Sequence, residues 1–89
     1  MASTIIIIVN KLGLHARAAA KFVTLASQFQ SEIQLKRGSR TVNGKSIMGV
    51  MLLAASKGTE LELIAEGEDA EPAIAALEKL VSNKFGEGE

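Results

Sequence analysis

The run Glu32-Ile33-Gln34-Leu35-Lys36-Arg37-Gly38-Ser39-Arg40-Thr41-Val42-Asn43 decides the fold. Ile33 and Leu35 alternate with Glu32, Gln34 and Lys36, the period-two pattern of a strand with one face on a core and the other in water. Gly38-Ser39 then turns the chain back into a short strand from Arg40 to Asn43. Two strands joined this way pair antiparallel, and such a sheet needs helices to cover its apolar face.

The flanking sequence supplies them. Upstream, Ala19, Phe22, Val23 and Ala26 fall at i, i+3, i+4 and i+7, an apolar stripe for a helix that starts at or just after His15 and ends near Ser27. Before that helix, Ile5-Ile6-Ile7-Ile8-Val9 is β-branched throughout and reads as a buried strand from about Ser3 to Val9. Downstream of the hairpin, Asn43-Gly44 closes the strand, and Ser46 is placed to cap a short helix from Ile47 to about Leu53. Beyond Gly58, Leu61, Leu63 and Ala65 alternate with Glu60, Glu62 and Glu66 to give a fourth strand. After a turn at Gly67, Asp69 is placed to cap a last helix that tolerates Pro72 in its first turn and buries Ile74, Leu77 and Val81. Residues 85–89 are expected to fray. The order is β-α-β-β-α-β-α: an α+β, two-layer open-faced sandwich, with a four-stranded antiparallel sheet and three helices on one face.

A chain of 89 residues suits one domain, residues 1–89, and is too small for a catalytic cleft between domains. Ten lysines and arginines balance ten aspartates and glutamates, so no global field points to nucleic acid or an anionic membrane. A charged partner must read a local patch. The absence of cysteine excludes a disulfide framework and a thiolate metal site and fits a reducing cytosol, so a cytoplasmic protein is expected. The isoleucine run is far shorter than the ~20 residues that cross a bilayer, and no membrane insertion is expected.

The chemistry centres on the single histidine, within Gly13-Leu14-His15-Ala16-Arg17-Ala18-Ala19-Ala20-Lys21-Phe22. A lone histidine in a small domain is ordinarily a surface or half-buried group with routine hydrogen bonds. Its neighbours set this one apart. Gly13 permits a tight turn before the helix, Ala16 lets a bulky group approach the backbone, and the Arg17 guanidinium lies within reach of whatever His15 holds. An imidazole at the positive end of a helix, with free N–H groups and a cation beside it, suits a phosphoryl group. No cofactor or metal is expected, since no cluster of metal ligands accompanies His15.

GLHARAAAKF resembles the active-site signature of HPr, the histidine-containing phosphocarrier family of the bacterial phosphoenolpyruvate-dependent sugar phosphotransferase system. Val42 to Leu61, VNGKSIMGVMLLAASKGTEL, resembles that family's serine region. The likeness covers nearly the whole chain. One departure is Ala18, where the family usually has proline; proline there only pre-sets φ, so alanine leaves the helix start intact. The resemblance implies that His15 accepts a phosphoryl group through Nδ1 from phosphohistidine of enzyme I and delivers it to a histidine of an enzyme IIA domain. It also implies that Ser46 is a target of an HPr kinase/phosphorylase.

Arg17 is expected to share charge as the group passes in line between two imidazoles, with the Ala16 and Arg17 backbone as phosphate binders. Ile47, Met48 and Met51 are expected to form an exposed, adaptable docking patch, rimmed by Arg17, Lys21, Lys45 and Lys57. Gly44-Lys45-Ser46 matches the tail of a nucleotide-binding loop, but that motif's first glycine would stand at position 39, which is Ser39. Two rivals to the sugar relay are the nitrogen-related paralogue of the family, which also often lacks the proline, and a non-catalytic interaction module in which His15 is incidental. Ser46 within GKSIMGVM favours the sugar branch. A monomer is expected.

Overall fold

A computed structural model describes residues 1–86 of the chain. Four strands, β1 (Ala2–Ile7), β2 (Glu32–Arg37), β3 (Arg40–Asn43) and β4 (Glu60–Glu66), alternate with helices α1 (Ala16–Ala26), α2 (Ile47–Leu52) and α3 (Ala70–Ser82). The strands pair antiparallel in the order β1-β4-β2-β3. This is the expected α+β open-faced sandwich. Within the hairpin Arg37 stands opposite Arg40, and the Gly38-Ser39 turn has Gly38 at φ 59°, the left-handed region that glycine enters without a Cβ penalty.

The core lies between sheet and helices. Ile6, Ile33, Leu35, Leu61, Leu63 and Ala65 point inward from the strands and meet Phe22 and Ala26 of α1, Val50 of α2, and Leu77 and Val81 of α3. Period-two burial along β2 and β4 agrees with their sequence alternation. For β1 the expectation of a wholly buried strand fails. Ile5 and Ile7 are 56% and 48% exposed. Helices cover only one face of the sheet, and β1 is an edge strand, so alternate residues of an all-isoleucine run must face water. Its pairing also ends at Ile7, two residues short of Val9.

Asp69 corrects a second expectation. It stands at the start of α3 with φ −105° and ψ 30°, and its side chain makes no capping bond. Instead its carboxylate accepts the Gln30 and Ser31 N–H groups at 2.8 and 2.9 Å, together with the Ser31 hydroxyl. These bonds tie the α1–β2 connection to the β4–α3 turn. The Ser31 hydroxyl first, then the Gln30 N–H, hold the carboxyl below its usual range by favouring the charged form. Gly67 belongs to the same corner: at φ 147° it lies so close to Ser31 that an added Cβ would sit 2.8 Å from the Ser31 Cα.

The expected frayed segment is corrected at its first residue. Phe85 is 1% exposed, inside a 3-10 turn (Lys84–Gly86), and its carbonyl accepts the Lys21 ammonium at 2.8 Å. An aromatic ring that fills the core outweighs the entropy of a chain end. Gly86 is exposed, and residues 87–89 lie outside the described residues.

Candidate functional site

His15 is the N-cap of α1, with extended backbone at φ −75° and ψ 179°, and its carbonyl accepts the first helical bond, from the Ala19 N–H at 2.8 Å. The N–H groups of Ala16, Arg17 and Ala18 come before that bond and have no acceptor within the helix. They carry the partial positive charge of the helix end, with no acidic residue in the first turn to balance it. Ala16 and Arg17 are exposed and His15 half-buried, so the helix start is open to solvent. Ala18 is fully buried at the third helical position, where either alanine or proline leaves every helical hydrogen bond intact.

The loop before His15 is held from below. Leu14 is buried and donates its N–H to the Ala55 carbonyl at 2.9 Å, and the Asn10 side chain donates to the Gly13 carbonyl at 2.9 Å. Gly13, at φ 68°, sits where any Cβ would run into the Ala55 carbonyl and lie 2.9 Å from the Ser56 Cα. Glycine is required there twice over, for its backbone angle and for the close approach.

That contact sets the end of α2 beside the His15 loop. At the other end of α2, the Lys45 ammonium donates to the Phe29 carbonyl at 2.6 Å, just beyond α1. The two helices therefore pack with the His15 loop near the finish of α2 and Ser46 at its start, at opposite ends of a helix about 9 Å long. Ser46 caps α2 as expected: its Oγ accepts the Gly49 N–H at 3.1 Å. Ile47, Met48 and Met51 are exposed, Met48 the most at 76%, while Val50 and Leu53 turn inward. The short helix thus divides its apolar residues between core and solvent.

Lys21 and Lys45, expected on the rim of that patch, are half-buried and each gives a hydrogen bond to a backbone carbonyl. Lys57 is exposed. Two exposed leucines extend the apolar surface beyond Ile47, Met48 and Met51. Leu52 continues the outer stripe of α2, and Leu12 stands in the loop beside Gly13. Leu12 belongs to no periodic segment, so its only signal was an apolar residue in a glycine-bordered loop. Among the described residues no group of three metal-ligating side chains comes together, and no helix is long and apolar enough to cross a membrane.

Residues 2–83 match the PTS-HPr family, described as the PTS HPr component phosphorylation site. The match spans His15 and all of α1 and α2. The chain belongs to the HPr family. It is 56% identical over 82 residues to the phosphocarrier protein HPr of Neisseria meningitidis serogroup A, covering 92% of both chains. The crystal structure of HPr-C-His from Thermoanaerobacter tengcongensis shares its fold with a TM-score of 0.94 at 52% identity, covering 98% of both chains. A crystal structure of an HPr dimer from the same organism matches with a TM-score of 0.79 at 52% identity, over 98% of this chain and 100% of that one. HPr proteins are phosphocarriers of the phosphotransferase system, a class distinct from enzymes that turn over a free substrate.

Proposed function

We propose that this HPr carries a phosphoryl group on His15, taking it from phosphohistidine of enzyme I and giving it to an enzyme IIA domain during sugar uptake in the cytoplasm. The observation that carries the reading is the position of His15 as N-cap of a helix whose first-turn N–H groups have no helical acceptor, inside the segment that the family match covers. In the forward step an imidazole lone pair, on Nδ1 by family resemblance, forms a bond to phosphorus. The donor's N–P bond breaks, and its electron pair returns to the donor imidazole. The helix start and Arg17 favour the charge spread over the phosphoryl oxygens during transfer. A carrier gains from this in the transition state, because strong binding of the finished phosphohistidine would stall the next step.

The exposed side of α2, with Ile47, Met48 and Met51, is the docking surface in this reading, and Lys21 and Lys45 shape its border through their backbone bonds. Ser46 is its control point. A phosphate added there by an HPr kinase/phosphorylase brings about −2 charge to the start of α2, beside Ile47 and Met48. A partner matched to apolar groups would have to desolvate that charge. All these residues belong to one chain, so transfer through a monomer is the working form. Ser46 within GKSIMGVM supports the sugar branch over the nitrogen-related one.

The test is labelling with phosphoenolpyruvate and enzyme I. Wild type should take up one acid-labile, alkali-stable label, and His15→Ala should take up none. Acid-labile label that persists in His15→Ala would overturn the proposal.

A further inference from the structure

Arg37 and Arg40 face each other across the hairpin register, an arrangement of like charges that costs stability unless both find partners. Both do, and in the same place. Arg37 Nη1 donates to the carbonyls of Leu53 at 2.7 Å and Ala54 at 3.1 Å, and Arg40 Nη1 donates to that of Leu52 at 2.9 Å. Leu52 ends α2, Leu53 is its C-cap and Ala54 follows, so the two arginines take up carbonyls at and just beyond the helix end, where N–H partners run out and the dipole is negative. The helix has no basic residue of its own in its last turn, so the hairpin supplies both cations. Nor does a glycine close the helix: Ala54 takes the left-handed backbone at φ 50°.

The next residue is the link to the site. Ala55 is buried, and its carbonyl accepts the Leu14 N–H, one residue before His15. Guanidinium groups that hold the Leu52, Leu53 and Ala54 carbonyls thereby set the position of the Ala55 carbonyl. Met51 and Leu52, at the same end of the helix, expose their side chains to solvent. We infer that Arg37 and Arg40 are positioning residues for phosphoryl transfer, which act through the end of α2 on the His15 loop and on the docking patch. Neither arginine lies in the GLHARAAAKF motif. The inference rests on the phosphocarrier reading for its kinetic consequence and on the hydrogen-bond geometry alone for its structural one.

The test is the Arg37→Gln/Arg40→Gln double variant, compared with Arg37→Lys/Arg40→Lys, which keeps a cationic donor at each site. The glutamine variant should show Leu14 amide exchange roughly tenfold faster than wild type, because the segment holding its acceptor is loosened. The KM of enzyme I for the glutamine variant should rise roughly fivefold with kcat within about twofold, since docking depends on the orientation of α2. The lysine variant should recover most of both. Unchanged Leu14 exchange and unchanged KM in the glutamine variant would overturn the inference, as would equal losses in both variants. If the double glutamine variant does not fold, Arg40→Gln and Arg40→Lys, which touch one bond of the set, make the same comparison. Failure of wild type to accept phosphate would count against the phosphocarrier reading, and Leu14 exchange would still decide the structural claim.

Discussion

At the start of α2 the Ser46 hydroxyl accepts the Gly49 N–H at 3.1 Å, whereas at the start of α1 the N-cap is His15, whose side chain makes no capping bond. A serine cap is worth about 1 kcal/mol to a helix. Placing histidine there forgoes that contribution and leaves the first-turn N–H groups of α1 facing outward. The difference separates a helix start capped by its own side chain from one whose first-turn N–H groups have no such cap, the start proposed to receive the phosphoryl group. The start of α3 is a third case: Asp69 could cap it, but its carboxylate is committed to Gln30 and Ser31 across the molecule, and Glu71 supplies negative charge in the first turn.

The comparison breaks most visibly if charge is added to the satisfied start. Ser46→Asp keeps a capping oxygen and should leave the melting temperature equal to or above wild type. It should lower the rate of His15 phosphorylation by enzyme I on the order of a hundredfold, through a charge that the partner must desolvate. Normal transfer by Ser46→Asp, with no labelling of wild type by an HPr kinase and ATP, would reduce Ser46 to a cap. A smaller effect is expected at the open start. Arg17→Ala should slow transfer roughly tenfold, while an exposed first-turn side chain changes stability by under ~0.5 kcal/mol. A large loss in thermal denaturation with unchanged transfer would make Arg17 structural.

Ser46→Ala sharpens the contrast in stability alone. It removes the cap from α2 and should cost about 1 kcal/mol in chemical denaturation. The smallest effect belongs to the third start and depends on pH. Asp69 is held below its ordinary value in the folded state, so its contribution is fully present above about pH 4 and is lost as pH falls through the lower folded value. Wild type should therefore be more stable than Asp69→Asn at neutral pH, and the gap should close as the solution is acidified below about pH 4. A gap that stays constant down to pH 2 would show that the carboxylate's charge plays no part in holding that corner.

Local pattern carried the fold wherever burial repeats along one element. The Ile33/Leu35 and Leu61/Leu63/Ala65 alternations and the Ala19/Phe22/Ala26 stripe all face the core as read. What was not legible depends on residues far apart in the chain. Six β-branched residues in a row, Thr4 to Val9, conceal the alternation that an edge strand imposes on Ile5 and Ile7. Asp69 looked like a cap because the residues before a helix favour one, but its partners stand 38 and 39 positions away. Phe85, in a polar and glycine-containing end segment, is buried in the core, and its carbonyl accepts from Lys21, which is 64 positions upstream. At the site, the Gly13-to-Phe22 motif was legible because the turn at Gly13, His15 and Arg17 are contiguous. The arginine bonds that brace the end of α2 were not, since nothing in a hairpin's sequence tells which carbonyls its side chains reach.

The central claim is that the uncapped start of α1 receives the phosphoryl group, and the amide resonances of wild type with and without phosphate from enzyme I test it most directly. A phosphoryl group on His15 that accepts first-turn N–H bonds should shift the Ala16 and Arg17 amides downfield and leave the Gly49 amide, already bonded to Ser46, in place. Phosphorylation that leaves the Ala16 and Arg17 amides unmoved, or that moves Gly49 instead, would contradict it.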